Sequence, residues 1–284
     1  MHHAAFLAAN QRYDGGTVPQ TIIHLSDLHI GLRKAEYERC ARLFAYVTNK
    51  YPGSPVLITG DLVDSATEKQ FRQMRGLLDQ LAQSNPILAV PGNHDYAWKG
   101  NILRPDGWAN WVKYLGSPLG WGEAEVPWMD EEHEVKGVDG LGVWKMGQIV
   151  FFGVDSGDPL DKQVSARGFI STKLASGLHT ALDAYEGKTR VVFLHHHPFN
   201  EGFFMKLEGS PRLLKAIKER CELLLFGHNH EYGLWYNERG VDFTVASHKS
   251  TDHISGELLF VTVIEVKKPG TPDVSFSHRL EVVT

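Results

Sequence analysis

Residues 21–29 read TIIHLSDLH, an apolar run of strand length that ends abruptly in serine, aspartate and histidine. The same pattern recurs four times: PVLITGD at 55–61, PILAVPGNHD at 86–95, VVFLHHHP at 191–198 and ELLLFGHNH at 222–230. Each run is rich in aliphatic residues and short, and so predicts a buried strand. In an open sheet, groups just beyond the carboxyl ends of such strands converge on one rim. That rim would collect aspartate, asparagine and histidine side chains, all suited to hard or borderline divalent cations.

Working outward, the segments between the strands carry helical periodicity. Tyr37, Cys40, Ala41, Phe44 and Val47 predict an amphipathic helix over 34–50. Phe71, Met74, Leu77, Leu78 and Leu81 form one apolar face, and Ser65-Ala66-Thr67-Glu68 reads as its capping box. Leu174, Leu178, Ala181, Leu182 and Tyr185 form another, opened by Ser171 or Thr172. Ser210-Pro211 opens a short helix through Ile217. LLFVTVIEV and DVSFSHRLEVV read as two late strands, an antiparallel pair. Strands alternating with helices predict a mixed α/β fold.

Composition narrows the class further. The chain has 284 residues, of which 42% are hydrophobic and 22% charged, so it can bury a sizeable core and is not disordered or coiled-coil. A net charge of −5 argues against a surface that coats nucleic acid. No apolar run approaches a membrane span of ~20 residues. Two cysteines are too few for a disulfide scaffold, and the N-terminus lacks the basic and apolar regions of a secretory signal, so the cytoplasm is expected. Residues 1–20 read as a loose leader and 21–284 as one domain. Five of the seven tryptophans fall within 97–131, which predicts a Trp-rich excursion over the site whose rings pack together, with one or two at the cleft.

The chemistry lies in the polar clusters. Asp27-x-His29 and His228-x-His230 space two side chains so that, in extended backbone, they project to one side. Asp61 can bridge two cations, and Asn93 offers a neutral carbonyl oxygen. Two metals ~3.5–4 Å apart would turn a shared water into a nucleophile at neutral pH. Even with a bridging hydroxide, two divalent cations leave Asp27 and Asp61 in a net positive cluster, which favours a phosphate group as substrate. His94 is placed to touch a phosphate oxygen or protonate the leaving group, with Asp95 nearby to orient it.

Asp27-Leu-His29, Gly60-Asp61-Leu-Val-Asp64, Gly92-Asn93-His94-Asp95, His196-His-Pro198 and Gly227-His228-Asn-His230 together resemble the calcineurin-like metallophosphoesterase superfamily, in order and across residues 27–230. The resemblance implies a four-layer α-β-β-α sandwich of two mixed sheets with a dinuclear centre at the strand-end rim. It places Asp27, His29 and His230 on one metal, Asn93, His196 and His228 on the other, and Asp61 between them. The metals could be Mn, Fe, Zn, Co or Mg. The family's spacing before the proline selects His196; His195 is then expected on the opposite face, and His197 is a candidate for the substrate cleft. The implied activity is hydrolysis of a small phosphate ester, a phosphodiester foremost. The blocks are similar to class III cyclic-nucleotide phosphodiesterases and glycerophosphodiesterases. Phosphomonoesterase, DNA nuclease and non-catalytic scaffold are the alternatives; the intact ligand set speaks against the last. Asp64 is expected behind the ligands or at a helix start, and His24 and Asp155 in the packing; His248 and His253 sit in a Ser/Thr-rich loop after the last motif, from which reaching the site is the lesser alternative.

Overall fold

Two mixed sheets account for most of the strands. The computed structural model describes residues 18–31, 33–100, 102–103, 105–119, 121, 139–157, 166–199, 202–251 and 258–283. In chain order the strands are β1 (Thr21–Leu25), β2 (Val56–Thr59), β3 (Ile87–Val90), β4 (Ala97–Trp98), β5 (Ile102–Leu103), β6 (Leu141–Met146), β7 (Ile149–Val154) and β8 (Gly168–Phe169). There follow β9 (Thr189–Leu194), β10 (Leu207–Glu208), β11 (Leu223–Phe226), β12 (Gly233–Glu238), β13 (Val241–Ala246), β14 (Leu259–Lys267) and β15 (Ser275–Val283). The first sheet runs β15-β14-β1-β2-β3 and the second β12-β13-β11-β9-β7-β6. In each, a parallel centre carries antiparallel strands at its margin. The expected late pair is β14 and β15, antiparallel from Leu259 opposite Val283 to Lys267 opposite Ser275.

Alternation along the second sheet sets the layers. Phe151, Val191, Phe193, Leu223 and Leu225 join one core with the first sheet. Their neighbours Phe152, Val192, Leu194, Leu224 and Phe226 join another with the outer helices. A sheet buried on both faces needs continuous apolar runs, which is why these strands show no polar alternation in sequence. Helices α1 (Lys34–Lys50) and α2 (Glu68–Leu81) pack on the first sheet's core. The short α3 (Asn93–Tyr96) and α4 (Gly107–Trp111) come next. Helices α5 (Thr172–Ala184) and α6 (Ser210–Ile217) cover the second sheet. The result is the four-layer sandwich that the sequence motifs imply.

Helix α1 has the predicted bounds, and Ser171 caps α5 by accepting from the Leu174 amide. The capping box of α2 lies two residues later than expected: Thr67 Oγ1 accepts from the Gln70 amide, and the Thr67 amide donates to Gln70 Oε1. Ser65 instead donates to the Asp64 carboxylate. Of the tryptophans, Trp111 and Trp121 are buried in the main core rather than in a core of their own. Trp121 Nε1 donates to the Ala89 carbonyl on β3, 2.9 Å away. Trp98 and Trp108 are exposed. Residues 1–17 of the expected leader, 122–131 of the excursion with Trp128, and His253 lie outside the described residues. Among those described, no helix is long and apolar enough to cross a membrane.

Candidate metal centre

The segments that follow β1, β2, β3, β9 and β11 meet at the carboxyl ends of the strands. The loop after β1 lies beside the loop after β2, held by amide bonds from Asp27 to the Gly60 carbonyl and from His29 to the Asp61 carbonyl, at 3.1 and 2.9 Å. Extended backbone is not what aims the paired side chains, however. Asp27, His29, Asp61, His228 and His230 all have φ between 45° and 76°, in the left-handed region. Left-handed backbone costs a non-glycine residue free energy and persists only where its surroundings enforce it, commonly at functional sites.

Two clusters result. In the first, Asp27 Oδ1 lies 3.3 Å from His230 Nε2 and 3.8 Å from His29 Nε2, and the two imidazole nitrogens are 3.2 Å apart. In the second, His195 Nε2 lies 3.0 Å from Asn93 Oδ1 and 3.1 Å from His228 Nδ1. Asp61 Oδ2 stands between them, 3.6 Å from His29 Nε2 and 3.4 Å from His195 Nε2. Asp61 Oδ1 accepts the His94 amide at 2.8 Å, leaving Oδ2 to face both clusters.

The placing of His195 corrects the sequence reading. Val191 and Phe193 point toward the first sheet, and His195 continues that alternation, so it enters the centre instead of turning away. Its Nδ1 donates to the Thr59 carbonyl at 2.7 Å, which frees Nε2. His196, expected as the ligand, has its Nδ1 2.9 Å from Ser156 Oγ, its ring 4.6 Å from that of His228 and its Nε2 buried without a partner, so it stays beside His195 and His228 in a group able to hold an ion. Alternation alone could not have told the two apart, because both faces of the strand are apolar.

Other residues depart from expectation as well. Asp95 does not hold His94. Its buried carboxylate accepts from the amides of Gly92, Val63 and Leu62 at 2.8, 3.0 and 3.3 Å. His94 is instead held by its Nδ1 on the Asp64 carbonyl, 2.7 Å away, with Nε2 4.0 Å from Asp61 Oδ2. His197, a candidate for the cleft, packs its ring against Phe226, Trp235 and Phe199. His24 bonds Thr59 Oγ1 inside the sheet, and Asp155 accepts from the Tyr96 hydroxyl. His248 stacks on Phe260, 4.1 Å between centroids.

Protonation favours metal binding. Burial pushes His29, His196 and His228 well below the usual histidine range, so their rings are neutral and offer lone pairs. Burial alone would raise Asp27, but His230, His195 and His29 beside it hold it well below the usual carboxylate range. His230 moves up: burial opposes its charge, but Asp27 outweighs the burial. Asp95 is pushed up, first by burial and then by Asp61, against its three amide bonds.

The donors fit a pair of divalent cations. Ligand atoms ~2.1 Å from one ion stand roughly 3.0 Å apart at right angles and about 3.4 Å apart in a tetrahedron. The separations above span that range. Asp27 Oδ1, His196 Nε2 and His228 Nε2 are buried without a well-directed hydrogen bond, a costly state that a nearby cation offsets. Among the described residues, Asp27, His29 and His230 form one group able to hold an ion; Asp27, Asp61 and His195 form a second, His195, His196 and His228 a third, and His29, Asp64 and His94 a fourth.

A rim of left-handed ligands between two mixed sheets, with one carboxylate shared by two ion-holding clusters, defines a dinuclear metal-dependent phosphoesterase. Residues 20–232 match the calcineurin-like phosphoesterase family, and the chain belongs to it. It is 29% identical over 230 residues to a Coxiella burnetii protein named as a probable cyclic nucleotide phosphodiesterase, covering 76% of this chain and 79% of that one. Its fold is similar to a dimetal phosphatase from Danio rerio, with TM-score 0.64, 12% identity and coverage of 92% and 99% of the two chains. It is also similar to the calcineurin-like phosphoesterase YfkN from Bacillus subtilis, with TM-score 0.51, 12% identity and coverage of 92% and 90%.

Proposed function

We propose that this phosphoesterase prefers phosphodiesters, cyclic nucleotides among them, and that Asp27, His29, Asp61, Asn93, His195, His228 and His230 hold its two metals. When bound, the metals would acidify a water and withdraw charge from the phosphoryl oxygens. The position of His94 carries the reading. Its Nδ1 is fixed on the Asp64 carbonyl, so Nε2 faces the centre and, when protonated, can donate to a departing alkoxide. The alkoxide expelled from a cyclic nucleotide or other alkyl diester needs this proton, whereas a nitrophenolate does not. The Coxiella relative, named for cyclic nucleotides, supports the same preference. We also read the start of the Trp-rich stretch, at Gly100, as bordering the site: the Gly100 carbonyl accepts from Asn93 Nδ2 at 3.0 Å, turning the amide oxygen toward His195. The buried free thiols of Cys40 and Cys221 support a reducing cytoplasm as the working compartment.

The test compares bis-p-nitrophenyl phosphate, p-nitrophenyl phosphate and cyclic AMP on one metal-loaded preparation, with His94→Ala beside the wild type. Faster turnover of the nitrophenyl diester than of the monoester is the expected result, with cyclic AMP hydrolysis reduced at least ~10²-fold in the variant. Preference for the monoester would overturn the diester assignment. Full activity of the variant on cyclic AMP would remove His94 from its role.

A further inference from the structure

The segment joining β13 to β14 crosses from the second sheet to the first, and its backbone is fixed on both sides. The Ser247 amide donates to the Phe226 carbonyl and the Ser250 amide to the Ser26 carbonyl, both at 2.9 Å. The Ser26 amide returns a bond to Ser250 Oγ at 3.0 Å, and Thr251 Oγ1 donates to the Leu28 carbonyl at 2.7 Å. These bonds bracket Asp27. They leave Lys249 held between the loop that carries Asp27 and His29 and the strand that leads to His228 and His230.

Lys249 is only 9% exposed. Among the described residues its Nζ makes no hydrogen bond and no ion pair, although its charge acts on both His29 and His230. Its stem is enclosed while its Nζ still reaches solvent, so the charge is left open to a ligand. Arg190, by contrast, has its guanidinium on Glu222 at 2.7 Å. Beside a centre built for phosphate esters, an anion brought by the substrate is the fitting partner for that open charge.

We propose that Lys249 is a substrate-binding residue whose ammonium holds an anionic phosphoryl oxygen on the His29–His230 side of the centre. It has no metal-binding role and does not transfer the proton. The cation is compact and carried on a long stem, suited to a single oxygen as a point charge. The proposal rests on phosphate-ester hydrolysis and is independent of whether diester or monoester is preferred.

The test uses the full chain with Lys249→Met, which keeps the stem and removes the charge, and Lys249→Arg, which keeps the charge. Inorganic phosphate is the probe, measured as a competitive inhibitor and by calorimetry on metal-loaded protein. Loss of one charge-assisted hydrogen bond predicts about 10- to 100-fold weaker phosphate binding in Lys249→Met, with kcat/KM reduced by a similar factor and partial recovery in Lys249→Arg. Metal content stays at the wild-type level, and metal-free Lys249→Met melts close to wild type, since methionine keeps the enclosed stem. Unchanged phosphate affinity would overturn the proposal. So would a loss of bound metal or of melting temperature that accounts for the defect. Whichever nitrophenyl ester the wild type turns over serves for kcat/KM, so a monoester preference would end the diester reading and leave this comparison intact. Calorimetry decides it alone if neither ester is cleaved.

Discussion

Replacing Asp95 separates a structural clamp from a catalytic carboxylate. Its side chain satisfies three buried amides, those of Leu62 and Val63 after β2 and of Gly92 before α3. These segments flank Asp61 on one side and Asn93 on the other. Asp95→Ala strands all three donors at about 1–3 kcal/mol each, so a loss of roughly 3–6 kcal/mol is expected once some relaxation is allowed. Against a typical stability of about 5–15 kcal/mol, that brings the fold near its limit. Asp95→Asn is milder. Its single oxygen can keep the Gly92 and Leu62 bonds, which share Oδ2, while its amide nitrogen faces the Val63 N–H. One lost bond predicts about 1–3 kcal/mol. Urea unfolding followed by tryptophan fluorescence measures both variants, and turnover of the asparagine variant should remain within about tenfold of wild type. An asparagine variant as stable as wild type but at least ~10²-fold slower would refute the clamp and return Asp95 to the chemistry.

Three further outcomes follow from the same geometry. His195→Ala should lower metal content by about one ion per chain by elemental analysis, whereas His196→Ala should retain both ions and lose stability from the cavity it leaves; the reverse result would restore His196 as the ligand. Gly100 has φ of 71°, and a Cβ there would strike the Asn93 amide and the His94 ring. Gly100→Ala should therefore reduce kcat at least tenfold without unfolding the protein, as circular dichroism and turnover would show. Burial would raise the Glu281 carboxyl, but bonds from Tyr51, Lys50, Tyr46 and Arg279 bring it from 4.5 to about 2. A carboxyl depressed by folding adds stability that is fully present above its unfolded value and lost as pH falls through the folded one. The difference in urea midpoint between wild type and Glu281→Gln should be constant above pH 4.5 and shrink toward pH 2; a difference unchanged across that window would remove Glu281 from the acid response.

Much of this molecule is legible one element at a time. Helix α1 could be read to its ends because one face is buried and the other wet, and the five strands could be read because each stops at a polar cluster. The faces of those strands could not. β9 is apolar on both sides, so nothing local shows whether His195 or His196 looks toward the first sheet. The left-handed turns at Asp27, His29, Asp61, His228 and His230 were illegible for another reason: aspartate and histidine give no glycine-like signal, and the conformation is imposed by neighbouring loops. Lys249 lies in no motif at all. Its interest comes from the bonds that its neighbours Ser250 and Thr251 make with Ser26 and Leu28, more than 220 positions away in the chain.

Each ligand cluster draws on both sheets. Asp27 and His29 follow a strand of the first and His230 one of the second, while Asn93 from the first faces His195 and His228 from the second. An ion in either place would therefore act as a clasp across the sandwich, closing only when the two halves have docked. Its binding free energy then becomes resistance to their separation, growing as RT ln(1 + [L]/Kd). The amides of β2 and β9, deep at the seam, would register this as slower exchange with solvent deuterium on loading. The solvent-side amides of β15, distant from the clasp, would keep their rate.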